Sequence, residues 1–378
     1  MAPRITRIKF FILCAISIFA GILVSIVALE GIFRCLPVNE GLRTQSVTQD
    51  DPIMRFAPNR TSIWSRGWDF SLVNRVKTNN YGFVSDVDYD PRATTPLLAV
   101  IGDSYVEAAM MPYQKTGTAI LGRSFEQKAR VYSFGSSGSP LSQYLAYAAY
   151  ARETFHPAGL VVVVVENDFD ESLLKYKQAP GFHYLTDDGH GELVLIRIDF
   201  QPTIWRKIVQ QSALGMYLAT NLQLGNLKTR MDELLHSFKS PSVAYAQSAD
   251  VTMGTRIADS KRAVNAFLWM LPTMSGLNPS RIVFVVDGNR LAIYEPETLS
   301  SLEGSYFEVM RHFFMTSALG DGFEVVDMQQ EFTNHYKRHG QRFEFSTDSH
   351  WNSVGHEVFA EAVQRSQVYH FVSTADSQ

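Results

Sequence analysis

Pro96-Leu97-Leu98-Ala99-Val100-Ile101-Gly102-Asp103-Ser104-Tyr105-Val106-Glu107-Ala108 decides how this chain folds. Residues 97–101 form an apolar run of strand length, and the pattern from Val106 to Leu121 predicts a helix. Ser104 falls at the junction. A serine there projects from the carboxyl edge of a sheet, where open α/β folds place their ligands, and the helix that follows offers unpaired N–H groups to a developing oxyanion. Alone, the tripeptide Gly102-Asp103-Ser104 reads equally as a turn with a helix cap.

Three further segments fit the same sheet edge. Ser133-Phe134-Gly135-Ser136-Ser137-Gly138-Ser139-Pro140 follows the strand-like Arg130-Val131-Tyr132, and its glycines let a peptide N–H approach a ligand. Leu160 to Val165 is an unbroken β-branched run of the kind a central, doubly buried parallel strand needs, and it ends in Glu166-Asn167-Asp168. Asp348-Ser349-His350-Trp351 sets an imidazole beside a carboxylate ahead of an amphipathic stretch, Glu357 to Val363. Each segment has an ordinary reading as a loop, a turn or a surface pair. Together they supply a nucleophile, a base, an orienting acid and oxyanion donors, all at strand ends or loops.

On these residues the chain resembles the SGNH, or GDSL, hydrolase superfamily. The resemblance implies Ser104 as nucleophile and His350 as general base. It also implies an oxyanion hole from the Ser104 N–H, the Gly138 N–H and the Asn167 amide. The implied fold is a flavodoxin-like three-layer α/β/α sandwich with a parallel sheet. Val76-Lys77-Thr78-Asn79-Asn80-Tyr81-Gly82-Phe83 is a further family-like feature, and the match runs from about residue 73 to 366, outside a large insertion. Three positions depart from the pattern: Ser133 replaces an Asn, Glu166 replaces a Gly, and Thr347 stands where the acid is usual. Asp348, two residues before the histidine, resembles the spacing in a branch that includes polysaccharide O-acetylation proteins, so the acid is assigned to Asp348. Asp327 and Asp287 are the competitors, read as loop or capping residues.

Phe10 to Leu29 is uncharged and of bilayer-spanning length, with Arg4, Arg7 and Lys9 before it. This predicts an uncleaved anchor with the remainder outside the cytoplasm, periplasmic or at the cell surface; a cleaved signal peptide is the rival reading. The 378 residues, 46% of them hydrophobic and 12% aromatic, can build a sizeable core, and a net charge of −4 gives no reason to expect a general affinity for nucleic acid or anionic lipid. Cys14 and Cys35 lie in or just after the span, so no disulfide is expected in the catalytic domain. No cofactor or metal is expected either: Asp348, His350 and His356 do not make a dedicated ligand set.

The expected organisation is an anchor at 1–36, a linker or stalk at 37–72, the hydrolase domain at 73–370 and a tail at 371–378. Strands are predicted at Leu97–Ile101, Arg130–Phe134, Leu160–Val165, Arg281–Val286 and Phe323–Val326. Helices are predicted at Leu141–Thr154, Lys261–Met274 and Tyr306–Ala318, an alternation that specifies a parallel sheet covered on both faces. Residues 171–259 are too long for a crossover and read as an insertion. It holds a hairpin from Phe182-His183-Tyr184-Leu185 and Glu192-Leu193-Val194-Leu195, then apolar residues at helical spacing over Trp205–Phe238. That stretch reads as a helical pair on the domain, with a substrate lid or membrane-surface contact as the functional alternative. Lys239–Asp250 reads as a loop.

The sequence therefore predicts a membrane-anchored serine esterase acting on an O-acetyl or short acyl ester. The alternatives are an O-acyltransferase modifying a surface polysaccharide or cell-wall glycan, served by a membrane acyl-donor protein, and a non-catalytic glycan-binding envelope protein. Trp64, Trp68 and Trp351 are candidates for stacking on sugar rings or for the core.

Overall fold

The computed structural model describes residues 2–222, 252–298, 302 and 304–375. The described chain divides into two units. The larger, drawn from residues 42–61, 75–202 and 241–378, carries the site.

Five strands form its sheet: β1 (Leu97–Gly102), β2 (Arg130–Gly135), β3 (Gly159–Val164), β6 (Ile282–Val286) and β7 (Glu324–Asp327). Their order is β2-β1-β3-β6-β7, with every neighbouring pair parallel. This is the flavodoxin-like arrangement, with its reversal of strand order at β1/β3. Side chains alternate between two cores, as a period of two residues requires. Leu97, Ala99, Ile101, Phe134, Val162 and Phe284 face one, and Leu98, Val100, Val131, Val161, Val163 and Val285 the other. The first core is closed by α4 (Leu141–Phe155), α7 (Met253–Ser275) and α9 (Tyr306–Gly320). The second is closed by α3 (Gly117–Ser124), α8 (Arg290–Tyr294), α10 (Met328–His339), α11 (Ser353–Gln364) and α12 (Gln367–Thr374).

The structure corrects several expected boundaries. The helix expected over 106–121 is broken into α2 (Ser104–Glu107) and α3, because Ala108 takes a left-handed conformation (φ 46°) and Thr116 caps a new start after Pro112. The linker expected over 37–72 is in part core: Val47, Ile53 and Met54 are buried, the last two inside the first core of the α/β unit. The tail expected from 371 begins later. α12 runs to Thr374, and its buried Val368 and Val372 lie so close to Gly159 that a Cβ there would meet them at 2.9 and 2.8 Å.

The expected hairpin is present as β4 (His183–Asp187) and β5 (Leu193–Arg197), paired antiparallel. Residues 223–238 of the expected helical pair, the 239–250 loop and residues 376–378 lie outside the described residues. The second unit takes in residues 2–41, 62–74 and 203–222 and contains α1 (Ala2–Arg34), α5 (Ile204–Val209) and α6 (Ala213–Met216). Among the described residues, one helix is long and apolar enough to cross a membrane, at Lys9–Arg34.

Candidate active site

Ser104 is the first residue of α2, separated from the end of β1 by Asp103 alone. Two glycines make that sharp entry possible. A Cβ on Gly102 would stand 2.4 Å from Val106 Cγ2, and one on Gly135, at the end of β2, 3.0 Å from Asp103 O and Glu107 N. Asp103 caps α2 by accepting from Tyr105 N at 2.9 Å. At the first helical position the Ser104 N–H has no intrahelical acceptor; it turns to the Asp103 carboxylate, from which an oxyanion would draw it away.

Two acceptors lie within reach of the Ser104 hydroxyl: His350 Nε2 at 2.7 Å and Asp103 Oδ2 at 3.1 Å. The shorter contact is to the imidazole. The other ring nitrogen, Nδ1, meets Asp348 Oδ1, which also accepts the His350 backbone N–H at 2.9 Å. The Asp348 carboxylate is sealed from solvent while the His350 ring keeps 21% of its exposure. Nδ1–H therefore points to the acid, and Nε2 is left to take the serine proton. The two-residue spacing works because 348–351 form a short strand, β9, which pairs with β8 (Glu344–Phe345).

A second carboxylate fixes this strand from behind. Asp287, at the end of β6, accepts the Trp351 indole N–H at 3.0 Å and holds Arg290 through contacts of 2.8 and 3.1 Å. Arg290 in turn donates to Ser349 O at 2.8 Å and to the Tyr105 hydroxyl at 3.0 Å. Burial works against the Arg290 charge, but the Asp287 carboxylate and Tyr105 outweigh it and raise its pKa. Asp287 is thus a loop residue, as expected, but one that grips both neighbours of His350. Asp327 takes the capping part, bonding Gln329 N at 2.8 Å and pairing with Arg311. Trp351, 1% exposed, is a core residue and offers no face to a sugar.

The remaining candidate donors sit on two loops. Gly138 has φ +78°, a conformation that favours glycine, and its N–H has no acceptor among the described residues. Asn167 lies in the turn after β3, with one amide hydrogen given to Glu171 Oε2 at 3.1 Å and the second available. Lys177 joins the two loops, pairing with Glu171 and donating to Gly138 O at 2.8 Å.

Buried acids shape both loops from inside. Glu107 accepts from Ser137 N at 2.6 Å and Ser137 Oγ at 3.0 Å. Burial pushes its pKa up to about 7, against the Ser137 hydrogen bonds and with the help of Asp103. Asp168, fully buried, accepts from Val165 N and the Tyr144 hydroxyl and closes the turn that carries Asn167. Desolvation raises its pKa well above its ordinary value.

Glu107, Asp168, Glu171, Lys177 and Arg290 were not anticipated as site residues. Glu107 alone left a signal, a single charge inside the apolar run Val106-Glu107-Ala108-Ala109-Met110-Met111. Beside the triad a cavity of about 180 Å³ is lined by Tyr105, Glu166, Asn289, Arg290, Phe307 and Ser349. Desolvation pushes the Glu166 carboxyl up to about 7, with Asp287 adding to it. A larger cleft of about 650 Å³, lined by Val87, Tyr113, Arg123, Glu126 and Tyr132 among others, contains none of these residues. His356 is buried, with Nδ1 accepting from Gly117 N at 3.1 Å, and burial lowers its pKa to about 3. Among the described residues no group of three or more His, Cys, Asp or Glu is placed to hold a metal ion.

No protein-family model and no curated protein matches the chain. Solved structures do. An α/β hydrolase from the metagenome of Lake Arreo, Spain, is 14% identical over 75% of this chain and 98% of its own, with a TM-score of 0.38. A lipase/acylhydrolase from Enterococcus faecalis is 10% identical over 75% and 98%, with a TM-score of 0.36. An acetyl xylan esterase is 10% identical over 71% and 97%, with a TM-score of 0.36.

Proposed function

We propose that this chain is a serine ester hydrolase of the SGNH type, acting outside the cytoplasm and tethered by α1. One observation carries the reading: the continuous line Asp348–His350–Ser104, with the hydroxyl 2.7 Å from Nε2. Ser104 Oγ attacks the ester carbonyl as its proton passes to Nε2, and Asp348 stabilises the imidazolium through Nδ1–H. The oxyanion takes hydrogen bonds from Ser104 N–H, Gly138 N–H and the free Asn167 amide hydrogen. His350 then returns the proton to the departing alcohol, and water releases the acyl group by the reverse sequence.

The cavity beside Ser349 and Tyr105 supports a short acyl group and a hydroxylated alcohol. At about 180 Å³, with Glu166, Asn289 and Arg290 in its wall, it suits a sugar hydroxyl better than a long alkyl chain. The same feature favours one second reading: a glycan hydroxyl in place of water makes the chain an O-acyltransferase, supplied by a membrane acyl donor. A purely glycan-binding role leaves the assembled triad without a purpose. The test is turnover of aryl acetate against longer aryl esters by the purified full chain, with and without an oligosaccharide acceptor. Preference for acetate is expected, with loss of about 10⁴-fold or more in Ser104→Ala. Turnover unchanged by that substitution refutes the mechanism, and acetyl groups recovered on the oligosaccharide select the transferase.

A further inference from the structure

α5 is an exposed helix with no core role. Ile204 and Trp205 are 75% and 76% exposed, and Ile208 and Val209 are 51% and 40% exposed. These four fall at i, i+1, i+4 and i+5, one side of a helix, while Arg206 and Lys207 occupy the other side of the wheel. Trp68, in the same unit, is 71% exposed. An apolar stripe that includes a tryptophan, opposed by basic residues, is the composition of a helix lying in a lipid headgroup layer.

Contacts within the unit fix the depth of this surface. Glu30 of α1 accepts from Ser212 Oγ at 2.8 Å and from Ala213 N and Leu214 N at 3.0 Å each, capping α6. Arg34 donates to Gln211 O at 3.3 Å, and Phe33 stacks on Tyr217 with ring centroids 4.2 Å apart. The Tyr217 hydroxyl reaches Trp68 O at 2.9 Å. At 1.5 Å per residue, the uncharged run 10–29 measures about 30 Å, the thickness of a bilayer's hydrocarbon core. If α1 spans, Glu30 stands at the lipid boundary, and so does Ser212. Val209 is three residues from Ser212, a reach of at most about 10 Å, so the C-terminal end of α5 stays near the lipid boundary.

We propose that the apolar stripe of α5, with Trp68, is a lipid-binding surface lying in the headgroup layer of the bilayer that α1 crosses. It rests on the membrane-anchor reading above. Lipid is the occupant because the hydrogen bonds to Glu30 and Arg34 hold this stripe beside the emerging span, and Arg206 and Lys207 suit an anionic surface.

The test uses the full chain, with Cys14→Ser and Cys35→Ser, reconstituted in vesicles of phosphatidylcholine with an anionic lipid. A fluorophore is placed in turn by Trp205→Cys, Ile208→Cys, Trp68→Cys, Lys207→Cys and Ile18→Cys, and read against aqueous iodide, a lipid quencher near the headgroup and one at the acyl-chain end. The expected result is deep-lipid quenching at Ile18. Positions 205, 208 and 68 should be quenched several-fold more by the headgroup-level lipid than position 207, which iodide should reach. If Ile18 is lipid-quenched but 205, 208 and 68 are as iodide-accessible as 207, the anchor stands and this inference fails. Shielding of 205 and 208 from both iodide and lipid quenchers shows protein on the stripe and likewise overturns it. Loss of lipid quenching at Ile18 removes the anchor reading itself.

Discussion

The two sides of the proposed reaction centre are held by different means. On the base side, β9 is gripped by a charged pair, Asp287 and Arg290, backed by the buried Trp351 and a Tyr105 ring 4.9 Å from His350. On the oxyanion side, Gly138 and Asn167 are joined by the half-buried Lys177–Glu171 pair and supported by Glu107 and Asp168, carboxyls whose pKa values burial raises. A base must keep one tautomer and one orientation, so its support is a network of contacts to both of its neighbours in the chain. The oxyanion loops carry only peptide and amide donors, and a buried acid can hold those in either protonation state. Weakening the support on the base side should therefore cost more activity than weakening the support on the oxyanion side.

The largest expected effect is at Asp348. Asp348→Asn should lower kcat by about 10⁴-fold, because the histidine loses the partner that fixes its tautomer. Asp287→Asn, which weakens the grip on Arg290 and Trp351 without touching the imidazole, should cost about 10²-fold through misplacement of His350. Asp327→Asn should leave kcat intact and remove about 1 kcal/mol of stability as a lost helix cap. Steady-state kinetics and thermal unfolding of the three variants check the ranking, and a loss at Asp327 as large as that at Asp348 would move the acid.

On the oxyanion side, Asn167→Ala should reduce kcat by about 10²- to 10³-fold with little change in KM, the signature of a donor used in the transition state. Lys177→Met should cost about tenfold, since it loosens both loops but removes no donor. If it costs more than Asn167→Ala, the pair is doing more than holding the loops.

The smallest effect is on stability against pH. Glu107 and Glu166 both have folded pKa values near 7, above the ordinary 4.5, so the folded chain binds more protons than the unfolded chain between those values. Their contribution is complete below pH about 4.5 and is lost as pH rises through about 7. Glu107→Gln should flatten the fall in denaturation midpoint over that window and preserve the bonds to Ser137. A midpoint that rises with pH across the window, with the wild-type slope kept in Glu107→Gln, contradicts the assignment.

The sheet was legible because parallel strands buried on both faces must be apolar throughout, and Leu97–Ile101, Leu160–Val165 and Arg281–Val286 read as nothing else. The line from Ser104 through His350 to Asp348 was legible because each residue stands at a strand end or on a short strand beside a helix. The support was hidden, since Glu107, Arg290 and Lys177 act through contacts 30 to 59 positions away in sequence. Asp287 was seen as a capping competitor because a carboxylate after a strand looks alike whether it meets a backbone N–H or the Trp351 indole. The helix expected over 106–121 failed at Ala108, where an alanine takes a left-handed turn that periodicity does not announce.

Labelling the purified chain with a serine-reactive fluorophosphonate, followed by peptide mapping of the adduct, tests the central claim most directly. The account predicts one stoichiometric adduct, on Ser104, formed in parallel with the loss of aryl acetate turnover and slowed by about the same factor as turnover in Asp348→Asn. An adduct on another residue, or full turnover in a chain that carries the adduct on Ser104, would contradict it.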